Sequence, residues 1–138
     1  AAALALGASA AQMGTAFLLA DEAVTSEPWR RAAAEAGDEA TRLTRAFTGR
    51  YARGVENRFM RLMHGVEAQV PAYPVQNRLT QPLRAAAAQA DDPELFWLWA
   101  GQGVGHAQEG SAEAMVRRWW AEARAAAEEV SARTGRAD

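Results

Sequence analysis

The spacing of apolar residues predicts a chain that is mostly helical. The longest helical pattern begins near Ser111 and continues to about Arg133, with polar residues on the opposite face. Its apolar stripe consists of Val116, Trp119, Trp120, Ala123, Ala127 and Val130. Another helix is predicted from Thr25 or Ser26, either of which can cap it, to a stop at Gly37. The pattern therefore favours helices in both halves of the chain.

Three more helices are predicted in the middle of the chain. Apolar residues in segment 55–66 follow the i, i+4, i+7 spacing of a helix. Pro71 and Pro74 end that helix and leave an irregular loop. A further helix is expected over residues 80–90, and a short one over residues 92–99.

Two segments are predicted to be extended, and the start of the chain is predicted to be the end of a helix. Residues 9–13 are mostly small, which is compatible with a short buried strand. Residues 41–47 alternate loosely and predict a second strand. Residues 1–6 are typical of the last turns of a helix that Gly7 stops. We therefore expect the chain to begin inside a larger fold.

Composition and charge exclude several classes of protein. The chain has 138 residues, of which 35 are Ala, and 15 Arg against 17 Asp and Glu leave a net charge of −2. A dedicated nucleic-acid binder is usually basic, because it neutralises phosphates. The chain has no Cys for disulfides or thiolate metal sites, and no apolar stretch long enough to span a bilayer. What remains is a helix-prone chain with a thin core.

The most suggestive short motif is Gln12-Met13-Gly14-Thr15. A Gly that follows a strand lets the backbone approach a ligand closely, and free N–H groups with a Thr hydroxyl suit a phosphate. In (β/α)₈ barrels, the loops after the seventh and eighth strands commonly hold a cofactor phosphate. The alternative interpretation is an ordinary turn between a strand and a helix.

Other candidates for chemistry are weaker. Residues 101–105 are rich in Gly but follow a predicted helix, so they do not match the dinucleotide fingerprint and indicate a flexible loop or close backbone packing. His64 is expected at a helix end and His106 has no evident carboxylate partner, so neither is predicted to be catalytic. The Arg residues of segment 45–58 could serve an anion or a nucleic acid, but a solvated face, or Arg side chains that tie loops to backbone carbonyls, is the commoner explanation. The paired Trp of the last helix is expected in a core or an interface.

Four stretches of the chain together resemble the nitronate monooxygenase family, formerly called the 2-nitropropane dioxygenases. Residues 5–18 look like the eighth-strand region of that family, and residues 43–59 resemble its second C-terminal signature. Residues 71–77 and 98–103 follow in the expected order. The similarity covers nearly the whole chain.

The resemblance implies an FMN-dependent (β/α)₈ TIM barrel, of the α/β class, that oxidises alkyl nitronates with dioxygen. In such enzymes the flavin carries out the redox chemistry, and the protein positions and shelters it. Gln12, Met13, Gly14 and Thr15 are then expected at the FMN phosphate, with the N–H groups of Gly14 and Thr15 in direct contact. Tyr73 and Asn77 are expected in the loop that covers the substrate side.

The chain also departs from the family pattern. The catalytic His of the family lies in an Ala-Gly-Gly-His segment, which this sequence does not contain, so no catalytic residue is assigned here. We expect a C-terminal fragment, with the last barrel strand and phosphate-binding turn in residues 1–20 and a helix-rich part in residues 21–138. Such a fragment is expected to be inactive alone. Its expected partners are a nitronate, dioxygen and the remainder of the barrel, with a homo-oligomer allowed for, in the cytoplasm.

Two alternatives stay open. An FMN-dependent enoyl-acyl carrier protein reductase of the same superfamily would share the phosphate tetrapeptide but is expected to lack the signature of residues 43–59. A freestanding, Ala-rich helical interaction module would bind no cofactor and would use the stripe on its last helix as a partner surface.

Overall fold

The molecule is helix-rich and contains one small antiparallel sheet. A computed structural model describes residues 1–135 of the chain. Within them, the α-helices are α1 (Ala2–Ala5), α2 (Glu27–Ala34), α3 (Arg58–Met63), α4 (Val75–Leu79), α5 (Gln81–Gln89) and α6 (Ala112–Thr134), and the strands are β1 (Thr41–Thr44) and β2 (Ala52–Val55). Short 3₁₀ helices occupy Thr15–Phe17, Glu67–Gln69, Pro93–Leu95 and Gln102–His106. No helix in this described part is long and apolar enough to cross a membrane.

The two strands form a hairpin that a third segment extends. Thr41 pairs with Val55, and Thr44 pairs with Ala52, in antiparallel register. On the other side of β2, the N–H of Val55 donates to the carbonyl of Leu98 at 2.8 Å. The N–H of Ala100 donates to the carbonyl of Arg53 at 3.1 Å. Residues 98–100 therefore lie along β2 as an additional short strand-like segment.

The core forms where this sheet meets α2. Its buried members are Leu19, Ala33, Val55, Leu98, Ala100 and Val104. Next to it, Phe47 is fully buried, with its ring 4.7 Å from that of Phe59 and 5.7 Å from that of Trp99. The large aromatic side chains thus supply much of the apolar volume that a chain rich in Ala lacks.

Several predicted helices are confirmed. α2 begins after Ser26 with Pro28 in its first turn, although it ends three residues before Gly37. α5 lies within the predicted segment 80–90. α6 begins after Ser111, whose hydroxyl accepts a hydrogen bond from the N–H of Ala114 at 3.2 Å. Gly7 follows α1 with a φ of 94°, which ends that helix as expected.

The predicted strand over residues 9–13 is wrong. These residues have no regular secondary structure and are exposed. A strand needs a neighbour for its N–H and C=O groups, and within residues 1–135 no strand runs beside this segment. The expected barrel strand near the N-terminus is therefore not formed by the described residues alone. The predicted second region, 21–138, ends in three residues that lie outside the described part.

Two helix predictions in the middle of the chain need correction. The helix predicted from Val55 begins only at Arg58, because Val55 belongs to β2 and its N–H is used by Leu98. Residues 92–99 form a 3₁₀ turn only over Pro93–Leu95, since Leu98 pairs with β2. The short helix α4 was not predicted. The strand expected over residues 41–47 is confirmed for its first four residues.

Candidate functional site

The segment Gln12, Met13 and Gly14 is open to solvent. All three residues are exposed, and a Cβ added at Gly14 would meet no atom within 4 Å. The N–H groups of Gly14 and Thr15 donate to no acceptor within residues 1–135. Free amides at an exposed Gly are the groups that bind an anion by backbone contact. The described residues therefore leave this segment uncovered, and its contact with a cofactor stays a prediction.

Thr15 joins this segment to the glycine-rich loop. Its side-chain oxygen, Oγ1, accepts a hydrogen bond from the N–H of Gly101 at 2.8 Å. A Cβ at Gly101 would lie 3.2 Å from the same oxygen, so the two residues are in tight contact. The close backbone packing proposed for residues 101–105 is confirmed at this Gly. The first and fourth sequence motifs thus meet here.

The second motif meets the fourth through the sheet. Gly54 of β2 lies against Leu98, and a Cβ at Gly54 would be 2.8 Å from the Leu98 carbonyl oxygen. The ring of Phe47 packs edge-on against Trp99. Only a residue without a side chain allows β2 and residues 98–100 to come this close.

The third motif packs on the loop that joins β1 to β2. The Gln76 amide donates to the carbonyl of Ala46 at 2.6 Å, and the Thr80 hydroxyl donates to the carbonyl of Phe47 at 2.6 Å. Gly49, with a φ of 82°, touches the backbone of Pro71. All four motifs that are distant in sequence therefore form one continuous set of contacts.

Tyr73 and Asn77 lie in this third motif. Tyr73 is half-exposed, and its backbone lies against Gly49. The Arg50 guanidinium is 5.5 Å from the centre of its ring. The Asn77 side-chain oxygen accepts a hydrogen bond from Arg84 at 3.0 Å. Within residues 1–135, no hydrogen bond joins either residue to the segment of Gln12 to Thr15. Their role on the substrate side stays a prediction.

Arg84 is a buried cation that the sequence did not reveal. Arg84 is only 8% exposed, and its guanidinium lies 3.6 Å from the ring centre of Trp97. It donates to the hydroxyl of Thr80 and to both oxygens of Asn77, all of which are uncharged. Burial lowers the pKa of this guanidinium below its ordinary value. Its position after a Pro-containing first turn of α5 gives no signal of this in the sequence.

The remaining candidates have structural roles. Arg45 and Arg53 donate to the carbonyls of Val70 and Thr41, at 3.3 and 3.2 Å, so the expected bonding to backbone carbonyls is confirmed for these two Arg residues. Trp119 stacks edge-on against Phe17, with ring centres 5.1 Å apart.

Comparison with known proteins identifies the family. The family model for nitronate monooxygenase matches residues 1–122. The chain belongs to the nitronate monooxygenase family. A probable nitronate monooxygenase of Staphylococcus aureus (strain Newman) is 45% identical over 101 residues, which cover 73% of this chain and 28% of that protein. The resemblance of the four motifs to this family is thereby confirmed.

Solved structures agree with this assignment. The nitroalkane oxidase of Streptomyces ansochromogenes superposes with a TM-score of 0.81 and 49% identity, covering 91% of this chain and 36% of that one. FabK from Thermotoga maritima superposes with a TM-score of 0.76 and 25% identity, covering 95% of this chain and 42% of that one. The chain therefore spans about a quarter to two-fifths of the length of these nitronate monooxygenase relatives and structural neighbours.

Proposed function

We propose that this chain supplies the C-terminal part of an FMN-dependent nitronate monooxygenase, a TIM-barrel enzyme that oxidises alkyl nitronates with dioxygen. The observation that carries the proposal is the contact of Thr15 with Gly101, which brings the open tetrapeptide into one contact network with the other three motifs. Identity of 45% to a probable nitronate monooxygenase supports the same reaction. The shared length of 28% limits this support to the part of the enzyme that the chain represents.

The residues present fit the phosphate end of FMN. A phosphate monoester is an anion with several strong acceptor oxygens, and it needs N–H and O–H donors that have no other partner. Gly14 and Thr15 present two such N–H groups beside open space. The Thr15 hydroxyl accepts from Gly101, and its own hydrogen donates to no acceptor within residues 1–135. Two adjacent residues thus offer three donors that no other group within residues 1–135 uses.

The two halves of the tetrapeptide have different roles in this proposal. Gly14 and Thr15 hold the phosphate, while Gln12 and Met13 form the exposed chain that leads to it. FMN, when bound, supplies the electron transfer from the nitronate to dioxygen. The catalytic His that the family resemblance implies belongs to the part of the enzyme that precedes these residues. Tyr73 and Asn77 cover the substrate side, held in place by Arg50 and Arg84.

The proposal includes the partners of the chain. The exposed apolar side chains Leu6, Met13 and Trp120, which lie near the start of the chain and on α6, are available to the remainder of the barrel. Burial of such side chains against neighbouring strands and helices would contribute about 1.5–3 kcal/mol for each one fully covered. A cytoplasmic location and self-association belong to the same proposal.

Flavin titration and oxygen uptake test the proposal. The full-length enzyme should bind FMN stoichiometrically, whereas the 138-residue chain alone should show neither tight binding nor turnover. Oxygen uptake by the full-length enzyme should depend on an alkyl nitronate and not on NADH. NADH-dependent reduction of an enoyl thioester, without uptake on nitronate, would instead establish the reductase. A full-length protein that binds no flavin would favour the interaction module.

A further inference from the structure

We infer that Gly101 is a positioning residue for the cofactor phosphate, because its N–H fixes the Thr15 hydroxyl as a donor directed at that phosphate. The inference rests on the proposed function, since it concerns the same FMN site. It adds a residue 86 positions away from Thr15 in the chain, in a loop whose sequence does not match a phosphate-binding motif.

The direction of the hydrogen bond decides what the hydroxyl can do. A Thr hydroxyl has one hydrogen and two lone pairs. At Thr15 one lone pair accepts the N–H of Gly101 at 2.8 Å, so the hydrogen has to point elsewhere. The hydroxyls of Thr48 and Thr80 also accept an N–H, but their hydrogens donate to backbone carbonyls, at 3.1 and 2.6 Å. The Thr15 hydroxyl therefore keeps its donor for a ligand while its oxygen is held in place.

The sheet holds the Gly101 N–H in position. Ala100, the preceding residue, donates its own N–H to the carbonyl of Arg53, and Leu98 accepts from Val55. Gly54 between these two contacts allows the strands to touch. The hairpin signature thus determines where the donor at residue 101 lies. A motif that supplies no phosphate ligand contributes to the phosphate site in this way.

The absence of a side chain at residue 101 is also needed to hold the Thr15 hydroxyl in this position. A Cβ there would lie 3.2 Å from Thr15 Oγ1, closer than ordinary van der Waals contact. Ala would push the oxygen away by a few tenths of an ångström, and it would misdirect the hydroxyl without removing any donor. Hydrogen bonds to a charged acceptor depend steeply on length and angle.

The test compares FMN with riboflavin, which lacks the phosphate, in the full-length enzyme. For Gly101→Ala we expect the dissociation constant of FMN to rise about 5- to 10-fold and that of riboflavin to stay unchanged, because one hydrogen bond to the charged phosphate is weakened but not lost. Gly103→Ala is the matched control, since it lies in the same loop with no atom within 4 Å of its new Cβ. It should change neither constant.

Substitutions at Thr15 keep the inference testable if Gly101→Ala does not fold. Thr15→Val should lower FMN affinity at least about 10-fold, and Thr15→Ser, which keeps the hydroxyl, should restore most of it. If Gly101→Ala weakens the binding of FMN and of riboflavin by the same factor, or weakens neither, the role of Gly101 is overturned. The proposed function stays intact in both cases. A wild-type enzyme that binds both ligands equally would overturn the phosphate site itself, and with it the proposed function.

Discussion

Asn57 makes three hydrogen bonds that connect three parts of the chain, and its substitution should show how much they contribute to stability. The side chain is 1% exposed, and its oxygen accepts the N–H of Met60 at 3.1 Å, which caps α3. Its amide donates to the carbonyls of Pro93 and Phe96, at 2.9 and 2.7 Å. One amide therefore holds the start of α3 against the turn that precedes the third strand-like segment.

Asn57→Ala should lower the free energy of unfolding by about 3 kcal/mol. Loss of the cap costs about 1 kcal/mol, and each half-buried carbonyl left without a donor costs about 1 kcal/mol. Thermal unfolding of the full-length enzyme, followed by Trp fluorescence, should show a midpoint about 4 °C lower, because the unfolding entropy of a chain of that size is large. Gln108→Ala, at an exposed position whose side chain makes no hydrogen bond within residues 1–135, is the control and should leave the midpoint unchanged.

Asn57→Asp separates the two functions of the amide. The new carboxylate still accepts the Met60 N–H, but its other oxygen faces two carbonyl oxygens. This surrounding favours the neutral acid and raises the pKa of the new Asp in the folded state. The variant should therefore be most stable at low pH and lose stability as the pH rises through that raised pKa. An Asn57→Ala midpoint within about 2 °C of wild type, or an Asp variant without this pH dependence, would refute the reasoning.

Three further predictions follow from contacts described above. Gly49→Ala should destabilise the protein by about 3 kcal/mol or more, and Gly65→Ala by only about 1 kcal/mol. Both residues have a positive φ, but only at Gly49 would the new Cβ lie 2.5 Å from backbone; equal urea midpoints for the two variants would contradict this. Arg84→Lys keeps the positive charge but should lower the free energy of unfolding in urea by about 1–2 kcal/mol, since Lys cannot both stack on Trp97 and donate to Asn77. A urea midpoint equal to wild type would argue against the stack. Backbone amides of residues 126–134 should exchange with solvent much faster than those of residues 115–119, because the first range has no buried residue, whereas Met115 is buried and Trp119 packs against Phe17; uniform protection along α6 would show that its end is covered.

Local signals in the sequence predict where α2 and α6 begin. Ser111 before α6 and Pro28 inside the first turn of α2 act through atoms within four residues, so the pattern contains all the information needed. The tetrapeptide of the candidate site is equally local, because the freedom of Gly14 requires no distant partner.

Long-range contacts explain what the sequence does not predict. Val55 fits the helical spacing of the residues after it, yet a carbonyl at Leu98 takes its N–H and places it in a strand. Asn57, a residue type that favours helix caps, marks the true start of α3 and could have corrected the boundary. The site contact between Thr15 and Gly101 has no local signal, since neither residue's neighbours indicate its distant partner.

The same long separation sets an order of events during folding. Contacts between residues far apart in the chain form late, because closing a long loop costs entropy before the contact can stabilise it. The hairpin of β1 and β2 closes over few residues, whereas residues 98–100 must be captured across more than forty. The bond from Gly101 to Thr15 spans 86 positions, so we expect it to form after that capture. On a growing chain, the tetrapeptide leaves the ribosome long before Gly101 does, and it acquires its holding contact late.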